Sequence, residues 1–228
     1  MSQQSHRLLL EISNLTKYYF AGGEKITALN SIFLALPLAD LAGVAGPSGS
    51  GKSTLLNIIG ALDSPDEGSV VLDGEPVNYE EEKQLENIRQ NKISFIFQNF
   101  NLIPVLTASE NVELALMTGK LQSMERKERA NDALEMVGLS NRRHHFPNQL
   151  SGGQQQRVSV ARAFVKKPAL ILADEPTANL DGVNAHKLID IIERVNEDNG
   201  TSFLISTHDK RVLDRLSHII QLEDGVII

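Results

Sequence analysis

The run Gly46-Pro47-Ser48-Gly49-Ser50-Gly51-Lys52-Ser53-Thr54 constrains this chain more than any other. It satisfies the pattern G-x-x-x-x-G-K-[ST] at every fixed position, with Ser53 as the closing hydroxyl. Successive backbone N–H groups in such a loop can wrap a polyphosphate. Glycines let the backbone approach closely and take positive φ without a Cβ penalty. Lys52 adds a cation for the β- and γ-phosphates, Ser53 offers oxygen to Mg²⁺, and a helix starting here aims its positive end at the ligand. Leu41 to Ala45 reads as a short buried strand, and Thr54 to Ile59 continues as an apolar helix. Strand, glycine-rich loop and helix are the context the motif needs. A dinucleotide-binding G-x-G-x-x-G is not met, because Thr54 stands where the third glycine belongs.

The 228 residues suffice for one large domain or two small ones. With 41% hydrophobic and 22% charged residues, the composition is globular rather than disordered. No apolar run reaches the ~18 residues of a membrane-spanning helix, so no direct membrane insertion is expected. The segment Met1 to Arg7 lacks the apolar core of a targeting peptide, and the expected location is cytoplasmic. The absence of cysteine excludes disulfides and thiolate metal sites. A net charge of -7 argues against a broad nucleic-acid-binding surface.

Leu8 to Leu15 and Ala28 to Leu36 read as strands, with Ala21-Gly22-Gly23 turning between them. After the glycine-rich loop and its helix come a strand at Ser69 to Leu72, a helix at Glu80 to Gln90 and a buried strand at Ile93 to Phe97. Then a helical block begins. Thr107 and Glu110 form a capping box, Ser123 to Val137 is amphipathic and stopped by Gly138, and a further helix runs from Ser151 to Val165. Strands at Ala169 to Ala173, Ser202 to Ser206 and Ile219 to Leu222 then alternate with a helix at Gly182 to Asn199 and a short one ending at Leu216. The expected fold is α/β: a P-loop nucleotide-hydrolase core with a mostly parallel sheet flanked by helices, an antiparallel β subdomain on the N-terminal side and an inserted helical subdomain. The expected organisation is one domain over 1–228, with 1–98 and 166–228 as the core and about 99–165 as the helical subdomain. Ligands of such sheets sit at the carboxyl ends of strands.

The apolar strand Leu170 to Ala173 ends in Asp174-Glu175. Two adjacent acids are costly at a strand end unless positive charge sits there, and a Mg²⁺·nucleotide on the loop supplies it. Asp174 then belongs to the Mg²⁺ shell, and Glu175 orients and deprotonates water. Ser151 and Gln154 form an S-x-x-Q capping box, and the Gly152-Gly153 helix start exposes N–H groups suited to an anion. Tyr18 and Tyr19 are adjacent aromatic residues, and Tyr19, on a strand edge, could equally be core. His208 ends the strand that follows Asp174-Glu175, beside the expected phosphate, whereas His144 and His145 read as surface residues.

The run Leu150-Ser151-Gly152-Gly153-Gln154-Gln155-Gln156-Arg157 resembles the LSGGQ signature of the ATP-binding cassette (ABC) ATPases, and the resemblance extends over essentially the whole chain. It implies ATP hydrolysis with Mg²⁺. It also implies that Tyr19 stacks on adenine, with Tyr18 as the rival candidate, that Gln98 senses the γ-phosphate and the membrane partner and joins Ser53 and Asp174 around Mg²⁺, and that His208 is the switch histidine. Asn179-Leu180-Asp181 matches the D-loop. The resemblance further implies that Ser151, Gly152, Gly153 and Gln154 face the γ-phosphate of a second copy, so that a homodimer encloses two nucleotides. One departure stands in the turn before the loop strand, where many members carry Gly-Glu and this chain has Ala39-Asp40.

A separate integral membrane subunit is the implied partner, placing the chain on the inner face of the cell membrane. The segments Phe97 to Val112 and Ala173 to Asp181 look most like the lipoprotein-releasing and macrolide-exporter ATPases. The sequence ends soon after Gly225, without the regulatory domain of several importer ATPases. Both features direct the expectation to export, extraction or mechanotransmission. The alternatives are the ATPase of a solute importer and a soluble, non-transport cassette ATPase.

Overall fold

A long hairpin opens the structure, which is a computed structural model describing residues 7–228. Residues 1–6, which carry most of the segment read as lacking a targeting core, lie outside the described residues. Strand β1 (Leu8–Ala21) pairs antiparallel with β2 (Glu24–Pro37). Gly22 and Gly23 connect them, both at positive φ, as a two-residue hairpin turn requires. Both strands outrun the segments read from sequence. Register shifts interrupt the pairing around Leu15 and Lys17, which breaks the simple alternation of side chains, yet Thr16 to Phe20 continue as β-favouring residues.

After the hairpin come β3 (Leu41–Ala45), α1 (Lys52–Ile59), β4 (Glu67–Leu72) and the short β5 (Glu75–Pro76). Helix α2 (Glu82–Asn87) continues into a π-type turn over Ile88–Lys92, so the segment expected as one helix ends in a wider turn before β6 (Ile93–Ile96). The stretch between β6 and the next strand is helical: α3 (Ala108–Glu113), α4 (Ser123–Met136) and α5 (Gly152–Phe164). The chain closes with β7 (Leu170–Asp174), α6 (Gly182–Asn199), β8 (Ser202–Ser206), α7 (Lys210–Leu213), β9 (His218–Glu223) and β10 (Val226–Ile227).

Two sheets result. One is antiparallel in the order β2-β1-β4-β5, and the other runs β10-β9-β3-β8-β7-β6. In the second, all neighbours from β9 to β6 are parallel and only β10 is antiparallel. Side-chain alternation along β7 explains its unbroken apolar sequence. Ile171 and Ala173 enter a core shared with α3 to α6, whereas Leu170 and Leu172 enter a second core shared with α1 and the antiparallel sheet. A strand covered on both faces must be apolar throughout. Parallel order also brings the carboxyl ends of β3, β6, β7 and β8 to a common edge, where the chemistry-bearing residues leave the sheet.

The Ala39-Asp40 turn forms without glycine, with Ala39 at φ 56. Asp40 holds the turn through its carboxylate, which accepts from the Leu41 N–H at 2.9 Å and lies 3.2 Å from His218 Nδ1. A left-handed alanine is strained at this position. Ala39→Gly is therefore expected to stabilise the fold by about 0.5–1 kcal/mol, seen as a higher denaturant midpoint at unchanged slope. A lower midpoint would contradict the strain.

Candidate active site

A cleft of about 460 Å³ opens at the shared strand edge, a volume suited to a nucleotide-sized ligand. From the loop after β3, Ser48, Gly49, Gly51, Lys52, Ser53 and Thr54 line it. Gln98 after β6, Asp174 and Glu175 at the end of β7, and His208 after β8 reach the same space, and Tyr19 enters from the hairpin. Gly46, Pro47 and Ser50 build the loop rather than line the cleft. A Cβ on Gly46 would sit 1.9 Å from the Leu222 carbonyl oxygen, so only glycine fits there. Gly49 and Gly51 hold φ of 84 and 103.

Lys52 Nζ donates to the carbonyls of Gly46 and Pro47, each at 2.8 Å. Neutral carbonyls are weaker acceptors than phosphate oxygens, so the loop keeps this cation available. Ser53 Oγ donates to Asp174 Oδ2 at 2.8 Å, and Ser206 Oγ donates to Asp174 Oδ1 at 2.5 Å. Among the described residues no group of three or more His, Cys, Asp or Glu side chains is arranged around a metal position. Mg²⁺ typically takes one or two carboxylates and completes its shell with water and substrate phosphates. The oxygen donors Ser53 and Asp174, with Gln98 on the same cleft, suit that ion.

Glu175 sits at φ 46, a costly conformation for a side chain with a Cβ. Its N–H donates to the Ser206 carbonyl at 3.0 Å and lies 3.2 Å from Ser206 Oγ, which holds the strained backbone. His208 Nδ1 lies 2.9 Å from Glu175 Oε1, while Oε2 is buried without a hydrogen-bond partner. A buried acceptor left open is costly unless a ligand or water satisfies it. Ser206 therefore bonds both the Asp174 carboxylate and the Glu175 backbone. In the sequence Ser206 stands out only as the end of a strand; its place opposite Asp174 in the β7–β8 register was the missing signal.

Of the two candidate tyrosines, Tyr19 lines the cleft and Tyr18 does not. The Tyr18 ring is instead covered by Lys25, whose Nζ is 3.2 Å from its centroid. Burial and the hydrogen bond to Asp63 push the Tyr19 phenol above its ordinary pKa. Burial alone would raise Asp63, but hydrogen bonds from Tyr19, Lys17 and the Ser64 N–H outweigh it and hold the carboxyl below its ordinary range.

Ser151, Gly152, Gly153 and Gln154 lie outside the cleft. Ser151 caps α5: its Oγ accepts from the Gln154 N–H at 3.3 Å, and Gln154 Oε1 accepts from the Ser151 N–H at 2.9 Å. A Cβ on Gly153 would come 2.7 Å from Asn184 Cγ, and Asp181 caps α6 by accepting from the Asn184 N–H at 2.9 Å. The starts of α5 and α6 thus share one surface. Asn179 Nδ2 donates to the Gln98 carbonyl at 3.0 Å, joining that surface to the cleft. Arg162 of α5 donates to the carbonyls of Phe100 and Asn101, at 2.8 and 2.5 Å, and both acceptors have left-handed backbones. His144 is exposed and His145 half-buried, and neither lines the cleft.

The family model described as ABC transporter matches residues 29–178. The uncharacterized ABC transporter ATP-binding protein MJ0796 of Methanocaldococcus jannaschii is 46% identical over 223 residues, covering 96% of this chain and 95% of that protein. YknY of Bacillus subtilis, likewise an uncharacterized ABC transporter ATP-binding protein, is 44% identical over 220 residues, with 96% and 95% covered. A solved dimer of MJ0796 in a post-hydrolysis state, bound to ADP and Pi, superposes with a TM-score of 0.89 at 45% identity, covering 96% of each chain. The chain belongs to the ABC transporter family and is one of its ATP-binding cassettes.

Proposed function

We propose that this cassette hydrolyses ATP as a homodimer and that hydrolysis drives a separate membrane subunit. Each ATP lies on the Gly46–Thr54 loop of one copy and is capped by Ser151 to Gln154 of the other. Glu175 takes a proton from the attacking water through its open Oε2, and His208 holds the opposite carboxylate oxygen. Water oxygen bonds to the γ-phosphorus as the bond to the bridging β–γ oxygen breaks, leaving ADP and phosphate. Lys52 and His208 stabilise the charge on the transferred group. Mg²⁺, held by Ser53, Asp174 and Gln98, would neutralise phosphate charge. Tyr19 stacks on the adenine face. Asp181 and the rest of the D-loop lie at the junction between copies, and Asn179 and Arg162 link that junction to the Gln98 segment.

The observation that carries this reading is the 2.9 Å His208–Glu175 pair set beside Lys52 and the Ser53–Asp174 pair in a single cleft. The ADP- and Pi-bound dimer of MJ0796 supports the homodimer. The capping residues' position outside their own cleft supports a site completed by a second copy. The organisation follows as one domain, with 1–98 and 166–228 as the hydrolytic core and about 99–165 as the arm that transmits motion. The membrane step is read as export, lipoprotein extraction or mechanotransmission, on the likeness of Phe97 to Val112 and Ala173 to Asp181 to those ATPases. No helix among the described residues is long and apolar enough to cross a membrane, so the proposed spanning element is another polypeptide. Affinity purification of the tagged chain from membranes tests this. A co-purifying membrane subunit with a large domain on the far side is expected, and recovery with a solute-binding protein would contradict it.

A further inference from the structure

An exposed tyrosine that stacks on a base ordinarily gives up rotamer freedom when it binds. Tyr19 has already lost much of that freedom, although its side chain is on the surface and the residue is 40% exposed. Its hydroxyl donates to Asp63 Oδ2 at 2.7 Å. Asp63 is itself held, because Oδ1 accepts from the Ser64 N–H at 2.7 Å and from Lys17 Nζ at 2.9 Å. Lys17 is only 8% exposed, and its ammonium also donates to the Ser64 carbonyl at 2.7 Å and lies 5.4 Å from the centre of the Tyr19 ring. Each polar group of this cluster therefore has a partner.

The placement of Asp63 gives the cluster its purpose. Helix α1 starts in the phosphate loop at Lys52 and ends at Ile59, and Asp63 follows in the turn after it. One rigid helix of about 12 Å thus connects the phosphate end of the cleft to the carboxylate that holds the ring. On the hairpin, Tyr19 pairs with Ile26, which also lines the cleft. The ring is fixed from two sides, relative to the loop that receives the phosphates.

We propose that Asp63 and Lys17 are positioning residues that hold the Tyr19 ring as a preformed stacking face, at a fixed distance from the phosphate loop, for the base of a nucleoside triphosphate. This rests on the reading of Tyr19 as the base-stacking residue. Preorganisation of this kind strengthens binding of ligands with a base and does nothing for the phosphate chain alone.

The test compares ATP with inorganic tripolyphosphate, by calorimetry on the full chain. Tyr19→Phe removes only the hydroxyl and leaves the Asp63–Lys17 pair intact; Asp63→Asn weakens the anchor while keeping its shape; Tyr19→Ala removes the ring. Tyr19→Phe and Asp63→Asn are expected to weaken ATP about 2- to 10-fold and to leave tripolyphosphate unchanged. Tyr19→Ala is expected to weaken ATP about 5- to 150-fold, again without effect on tripolyphosphate. Normal ATP binding by Tyr19→Phe and Asp63→Asn, with Tyr19→Ala impaired, would overturn the positioning role and keep the stacking. Normal ATP binding by Tyr19→Ala would overturn both. Equal losses for ATP and tripolyphosphate would make the cluster a support of the loop and would also overturn the proposal.

Discussion

Glu175→Gln is expected to lower ATP turnover by about 10²-fold or more while ATP continues to bind. The glutamine amide matches the carboxylate in size and can still accept from His208, so the 2.9 Å contact has a replacement. The backbone bonds from Glu175 to Ser206 do not involve the side chain. What disappears is a group able to take a proton from water, in a place where Oε2 has no competing partner. Lys52, Ser53 and Tyr19, which line the cleft and are proposed to meet the phosphates and the base, are untouched. Phosphate release set against equilibrium ATP binding separates the two effects. A variant that hydrolyses at the normal rate would remove Glu175 from the proton transfer and leave the open Oε2 without a role.

Ser151→Arg is expected to abolish turnover and to leave ATP binding by the single chain intact. Loss of the cap costs about 0.5–2 kcal/mol, which a domain of ordinary stability of roughly 5–15 kcal/mol survives. Ser151 does not line the cleft of its own chain, so its replacement has no route to the bound phosphates there. In the proposed dimer the same residue faces the nucleotide of the other copy, where a bulky side chain blocks closure. Equal loss of binding and turnover would place Ser151 at its own chain's nucleotide and contradict the arrangement across two copies.

Much of this site was legible because its parts are local. The phosphate loop, the Asp174-Glu175 strand end and the Ser151–Gln154 capping box are each set within a few residues. Helix α6 was readable to its ends for the same reason, since Asp181 caps its start and Gly200, at φ 64, closes it. The hydrogen bonds that align these parts were not legible. Ser206 meets Asp174 across 32 positions, Tyr19 meets Asp63 across 44 and Asn179 meets Gln98 across 81. Sequence spacing carries no trace of such pairings; only the packing of strands, helices and loops in the fold creates them. The far half of the β1–β2 hairpin was missed on different grounds. Its bulges break the two-residue period just where the hairpin extends toward the cleft, and that extension is what places Tyr19 rather than Tyr18 beside the nucleotide loop. At Ala39 the glycine that many relatives carry is missing, and the structure keeps the left-handed turn with alanine in it.

The concentration dependence of ATP turnover tests the central claim most directly. Phosphate release per chain is measured over a dilution series, with the single-copy state at the lowest concentrations verified by sedimentation. If each hydrolytic centre needs the phosphate loop of one copy and the Ser151 helix start of another, turnover per chain rises with protein concentration and vanishes where only single copies remain. Constant turnover per chain down to the single-copy state would show that one copy holds a complete centre.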